Sequence, residues 1–479
     1  MTRQLFQLPS FDEVPEPHLR FHPDRESDSD THPLRGLLQF GPYSRSTPFT
    51  APDPIRLAVI GPKRSIPKVR AFISELRRSH TPKERSQYLL EYPGFSAVMR
   101  VGLSDPTPDT TISIDEDTVS LALAQPRPQD RLAEIIHGAV RRLSDCRQKF
   151  DVALLYLPNQ WASGFRSSPD DLTEDFDLHH SVKAQCGSIG VPIQILNDDA
   201  LEYRCRCSVS WRLSIALYVK AGGIPWKLLG YDDNHAYVGL SYCQRKSTQH
   251  RFVTGCSQIF DGRGTGLQFL LYESGDGHHA GENPYLSRTD MYRLMSRTLG
   301  IYQRQRGKPP TRLVVHKTTP FQRDEIDGVN DAVSSIEDVE LLTITEKTPW
   351  QGIRIDAPRR TGESRGDAAS YPIRRGTLMP LGIYEYLLWS SGVVGGIGDG
   401  EFFKEGKGIP KPLKVTRYQG RGSFFEGARE ILGLTKMNWN NDSIYDRIPV
   451  SLSYASVLAD VVKRFGSLAH TPYEARFFM

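Results

Sequence analysis

Little in this chain's bulk chemistry points to a role. Its 479 residues carry 60 Lys and Arg against 56 Asp and Glu, a formal net charge of +4, so any nucleic-acid site must come from local clustering and not from overall charge. Cysteines are few, at 146, 186, 205, 207, 243 and 256, with neither CxxC spacing nor a neighbouring His ladder. Cys205 and Cys207 stand too close for the usual zinc half-site, so reduced thiols in a cytoplasmic protein are the expectation. The longest apolar stretch, near residues 381–398, is broken by Glu385 and several glycines, and the first residues form no basic-then-apolar leader. Neither secretion nor membrane spanning is expected. No internal repeat or low-complexity segment stands out. An apolar content of 38% and a charged content of 24% fit an ordinary folded protein with length for two or three domains.

Residues 1–54 are rich in Pro, Asp, Arg and Ser and read as irregular. An alternating rhythm follows: strand at 55–60, helix at 67–78, strand at 151–157, helix at 177–189, strand at 191–196, and a helix from about 209 to 220 that stops at Gly222-Gly223. Apolar strands alternating with helices predict a parallel sheet covered on both faces. Gly222-Gly223-Ile224-Pro225 is the best boundary. Beyond it come three strands in quick succession (236–243, 251–260, 267–273), a helix at 289–304 and a strand at 312–316. That is the element order of an RNase H-like sheet. Residues 357–370 read as an exposed polar loop, and 381–389 as an apolar helix.

Four residues of the first half suit a terminal phosphate. His179 and Lys183 are four apart and share a helix face, Gln194 sits on the next strand, and Lys220 ends the following helix. A phosphate carrying up to two charges wants several charge-assisted donors converging from different elements. Spacing alone also fits a solvated Lys at a helix C-terminus and a surface His. In the second half, Arg374, Arg375, Lys411, Lys414, Arg417 and Lys436 form basic segments, those on the predicted strand lining one face; they suit either a nucleic-acid backbone or solvent.

The stretches His179-His-Ser-Val-Lys183, Gly190-Val-Pro-Ile-Gln194 and Ala216-Leu-Tyr-Val-Lys220-Ala-Gly-Gly resemble the MID-domain signature of Argonaute proteins. The closing segment, with Thr435-Lys436-Met-Asn-Trp and Arg447-Ile-Pro-Val-Ser-Leu-Ser-Tyr-Ala455, resembles the end of their PIWI domain. The resemblance implies an α/β chain: a Rossmann-like MID domain followed by an RNase H-like PIWI domain. Its implied division is an extension at 1–54, MID at 55–223 and PIWI at 224–479. His179, Lys183, Gln194, Lys220 and the Met479 carboxylate would hold a guide's 5′ phosphate, with Mg²⁺ held through Gln194 and Met479. The six basic residues of the second half would face the guide–target duplex.

In the same resemblance, Ser241, Thr318 and Tyr454 fall where active members carry metal-binding side chains. Hydroxyls do not replace anionic ligands of hard cations at neutral pH, so no catalytic residue is expected. Asp324, Asp356 and Asp460 share no spacing, and Ser241 with His316 reads as packing, not as a hydrolytic pair. With no room for N and PAZ domains, the chain resembles a short prokaryotic Argonaute. Such proteins pair with an APAZ-domain protein carrying a sirtuin-like, TIR or nuclease effector. The implied role is defence: a guide RNA recognises single-stranded target DNA and switches on an NAD-depleting partner. An active nuclease with non-standard carboxylates and a purely structural α/β subunit are the competing readings.

Overall fold

The computed structural model describes residues 10–48, 50–167, 176–246, 251–274, 278–280, 283–355, 367–397, 400–403, 408–462 and 474–477. The N-terminal extension is more ordered than its composition predicts. Its strand β1 (Asp12–Glu13) joins the edge of a large sheet formed by the second half, and Leu19–Arg20 pairs with Lys227–Leu228 just past Gly222-Gly223. Its helix α1 (Pro33–Phe40) is capped by His32, whose ring accepts from the Leu34 and Arg35 amides. The ordering comes from tertiary partners: Leu34 and Leu37 enter the core that spans both halves, and the Tyr43 and Ser44 amides bond the Pro225 and Ile224 carbonyls.

Alternation along one strand organises the first half. In β2 (Ile55–Pro62), Leu57 and Val59 point to one face and Ala58 and Ile60 to the other, and all four are buried. Leu57 and Val59 meet α2 (Ile66–Glu75) and α5 (Arg206–Lys220); Ala58 and Ile60 meet α3 (Pro128–Ser144) and α4 (Leu178–Ile189). Strand β2 pairs in parallel with β3 (Leu103–Ser104) and β4 (Thr111–Ile114) on one edge, and with β5 (Val152–Tyr156) on the other. Strand β6 (Ile193–Leu196) continues from β5. This is the doubly covered parallel sheet the rhythm predicts.

Among the described residues, the second half is built on a nine-stranded mixed sheet, one strand of which is β1 of the extension. Strands β7 (His235–Lys246), β8 (Arg251–Asp261) and β9 (Gly266–Ser274) run antiparallel. Strands β10 (Arg312–Lys317) and β11 (Asp338–Thr345) extend the sheet in parallel from β7. The far edge is β12 (Thr377–Pro380), β13 (Glu385–Leu388) and β14 (Leu413–Gln419), giving the order β1-β12-β13-β14-β11-β10-β7-β8-β9. Helices α6 (Arg288–Arg306) and α7 (Arg323–Ala332) cover one face, against Ala236, Val238 and Leu240. Helices α8 (Phe424–Leu434) and α9 (Val450–Val462) complete the second half. The sheet has the RNase H-like order.

One expectation changes. Residues 381–389 form not an apolar helix but bends followed by strand β13, whose Tyr386, Leu387 and Leu388 are buried between β12 and β14; Gly382 disfavours a helix, and the aromatic Tyr386 suits a strand. Strand β14 is interior, between β13 and β11. Most of the expected polar loop at 357–370 lies outside the described residues.

One glycine fixes how α9 sits on the sheet. A Cβ on Gly239 of β7 would lie 1.9 Å from the Ser451 carbonyl oxygen in the first turn of α9, so backbone meets backbone there. Gly239→Ala is expected to lift that turn and destabilise the protein by about 1–3 kcal/mol, read as a lowered urea midpoint at unchanged slope. An unchanged midpoint would mean that α9 seats elsewhere.

Candidate nucleic-acid interface

Helix α4 starts at Asp177, whose side chain accepts from the His180 amide at 3.1 Å, and ends at Gly190 in the left-handed region (φ +69°). The four-residue spacing within it puts His179 and Lys183 on one face. Helix α5 ends at Lys220, two residues before Gly222 (φ +97°). Both lysines are buried, with relative exposures of 6% for Lys183 and 1% for Lys220.

Their electrostatics tie them together. Burial, then the Lys183 charge, lower the Lys220 ammonium to about 7, with Cys186 opposing the fall. Burial lowers Lys183 to about 8, with Asp177 opposing. His179 remains accessible to solvent, yet protein crowds its ring; that crowding, then the Lys183 charge, holds its pKa far below the usual imidazole range, and Lys220 adds to the effect. The structure thus brings His179, Lys183 and Lys220 into one electrostatic neighbourhood. Gln194 is half-buried on β6 and donates to the Ile195 carbonyl at 3.0 Å.

The C-terminal turn Ala475–Phe477 packs against α4, α5 and β9, with Phe477 buried. Met479 lies outside the described residues. Arg476 of this turn lines a cavity of about 380 Å³ with Val219, Gly222, Trp439 and Tyr454, at the seam of the two halves. Among the described residues, the expected magnesium set is represented by Gln194 alone. A single neutral oxygen holds no hard cation without further ligands.

In the second half, β7 and β10 pair with Gly239 opposite His316 and Leu240 opposite Lys317. Ser241, midway along β7, and Thr318, just past the end of β10, therefore follow side by side. Thr318 is exposed and lines a cavity of about 720 Å³ with Glu346, Lys347, Lys411 and Arg447. The Glu346 side chain is taken up by Arg447, 3.7 Å away. Tyr454 is half-buried on α9 and donates to Asn438 Oδ1 at 3.0 Å. His316 is fully buried, with Nδ1 2.8 Å from Ser451 Oγ; burial, then Arg312, hold its pKa down to about 3. Its partner is thus Ser451 of α9, which fits the packing role. Asp324 lies in the first turn of α7, Asp460 lies on α9, and Asp356 is outside the described residues.

The basic surface needs correction. Arg375 and Lys436 are not at the surface: their side chains are fully enclosed around Glu16 of the N-terminal extension, at 2.8 and 2.6 Å. Burial alone would raise the Glu16 carboxyl, but Arg375 and Lys436 together lower it. The two cations clamp the extension onto the second half. Lys414 and Arg417 are three apart on β14 and so face opposite ways. Lys414 pairs with Glu385 at 2.8 Å. Arg417 turns inward to Glu340 at 2.6 Å, joining a buried network with Arg312 and Glu430. Arg374 is exposed, between Glu13 and Glu401. Lys411 is exposed on the Thr318 cavity. A side chain's exposure depends on where acids such as Glu16 and Glu340 fold to, which local sequence does not state.

No family model and no curated protein matches the chain. Solved structures do. Clostridium butyricum Argonaute bound to a guide DNA and a 19-mer target DNA matches with TM-score 0.66 and 14% identity, over 100% of this chain and 56% of that one. A. aeolicus Argonaute matches with TM-score 0.60 and 15% identity over 98% and 55%, and Drosophila Piwi with 0.58 and 14% over 98% and 56%. The fold is that of the Argonaute and Piwi proteins. The chain spans about half the length of these neighbours.

The lysine pair sets a pH dependence. Lys220 falls from 10.5 to about 7 on folding, so between those values the unfolded chain holds a proton that the folded chain lacks, and stability rises with pH. Lys220→Met is expected to stabilise the free protein most at or below pH 7, with the gain shrinking towards pH 10. Urea titrations at several pH values read this out, and a pH-independent difference would contradict the burial of a depressed Lys220.

Proposed function

We propose that this chain is a guide-loaded nucleic-acid sensor: it grips the 5′ phosphate of a short guide between α4 and α5 and recognises complementary target without cutting it. The observation that carries the reading is the pair Lys183 and Lys220, both buried and both lowered in pKa by that burial, Lys220 also by the Lys183 charge. Two buried ammonium groups on neighbouring helices are suited to an anionic ligand that carries more than one charge. A terminal phosphate supplies up to two negative charges and oxygens for several charge-assisted bonds. His179 at the mouth and Gln194 on β6 are the neutral donors that would orient it. Base pairing to the guide then supplies sequence choice, while the protein contacts backbone.

The fold shared with an Argonaute solved on guide and target DNA supports the guide-directed part. Hydroxyl side chains at Ser241, Thr318 and Tyr454 support the non-cleaving part, because two-metal hydrolysis needs clustered carboxylates. The MID–PIWI length, RNA as guide and single-stranded DNA as target extend the same reading. So does an APAZ-domain partner with a sirtuin-like, TIR or nuclease effector in prokaryotic defence. In that arrangement duplex formation would supply the binding free energy that shifts the partner to its active state.

Binding of labelled 5′-phosphorylated and 5′-hydroxyl oligonucleotides tests the first part. The protein is expected to prefer the phosphate form, and Lys183→Ala with Lys220→Ala to abolish the preference. Each charge-assisted contact is worth about 1.5–3 kcal/mol, so each lysine should account for about 10- to 100-fold. Equal binding of both ends by the native protein would refute the socket. Guide-loaded protein incubated with complementary DNA and Mg²⁺ or Mn²⁺ tests the second part: target is expected to remain intact, and site-specific products would establish cleavage.

A further inference from the structure

We propose that Asp177, His179 and His180 form a binding site for a divalent transition cation, with Zn²⁺ as the reference ion. The site does not depend on the guide reading above. It is the cluster of three metal-ligating groups among the described residues, and the ligand atoms all lie within 4.8 Å of one another. Neighbouring residues in a helix point about 100° apart and seldom converge. Here the start of α4 alters that. Asp177 is still extended (φ −139°, ψ 117°), and the two imidazoles stand edge to face with centroids 5.7 Å apart. His180 Nδ1 lies 4.0 Å from Asp177 Oδ1.

Asp177 can serve both cap and metal. Its Oδ1 accepts from the His180 amide at 3.1 Å, which leaves Oδ2 for a cation. Arg166 approaches Oδ2 at 3.7 Å, but its side chain is 81% exposed, and so open an ion pair yields readily to a metal. Tetrahedral Zn²⁺ with ligands at about 2.0–2.1 Å needs them about 3.4 Å apart, so the three groups close by about an ångström through side-chain rotation.

The donor set chooses the ion. Two imidazole nitrogens and one carboxylate suit Zn²⁺ and its transition-metal neighbours; Mg²⁺ and Ca²⁺ want oxygens. Three protein ligands leave one position open. Lys183 lies one turn further along α4, so a bound dication would add positive charge to the lysine neighbourhood, and the open position would favour an anionic oxygen.

The test uses the untagged full chain, stripped of nucleic acid and treated with chelator. Equilibrium dialysis with metal analysis is expected to find one equivalent of Zn²⁺ per chain, and Co²⁺ to give the intense visible absorption of low-coordinate nitrogen and oxygen ligation. Asp177→Asn keeps the cap hydrogen bond, and His179→Ala changes an exposed side chain, so both should fold. Each is expected to weaken Zn²⁺ binding by at least about tenfold at unchanged circular dichroism. No binding by the native chain at tens of micromolar Zn²⁺, or native affinity in both variants, would overturn the site. Because no oligonucleotide is present, failure here leaves the guide-binding test standing, and failure of that test leaves this one.

Discussion

Enclosed positive charge is the constraint around which this molecule is arranged. A lysine or arginine removed from water must meet opposing charge or lose its proton. The protein answers this in two ways. Around Glu16, Arg375 and Lys436 find a carboxylate and stay charged, and the result is mechanical: the N-terminal extension is fastened to the second half. Around Lys183 and Lys220, burial outweighs the opposing influence of Asp177 on the one and Cys186 on the other, so both ammonium groups are driven down from the usual lysine range. The first arrangement fastens remote segments of the chain; the second gathers buried basic side chains on α4 and α5.

The halves are joined so that the second arrangement sits at their seam. The extension pairs with β12 at one end and with the segment after Gly222-Gly223 at the other. The C-terminal turn reaches back onto α4 and α5. A first-turn backbone contact at Gly239 sets α9 on β7, and the His316–Ser451 hydrogen bond sets it against β10. Tyr454, one turn on, thereby lines the seam cavity that Arg476 also lines. A nucleic-acid end held at α4 and α5 would therefore touch elements of both halves.

Some of this was legible in the residues. Strand β2 alternates between two buried faces, and its run of apolar residues announced a sheet covered on both sides; the period of the pattern is a property of the local chain. The stop at Gly222-Gly223 and the three quick strands after it were equally plain. Residues 381–389 misled because a short apolar run carries no period that separates helix from strand; burial between β12 and β14 decided it. The basic residues misled for a different reason. Arg375, Arg417 and Lys436 look like a cationic surface until Glu16 and Glu340, far away in sequence, fold against them.

The sequence by itself determined most of the element order, the two kinds of sheet and the shared helix face of His179 and Lys183, because periodicity and spacing act over a few residues. Only the tertiary structure decided which cations are enclosed, which acids neutralise them, and that Asp177 turns towards two histidines. Those outcomes depend on distances between elements remote in the chain and on the loss of water around them, and charge in a protein acts through both.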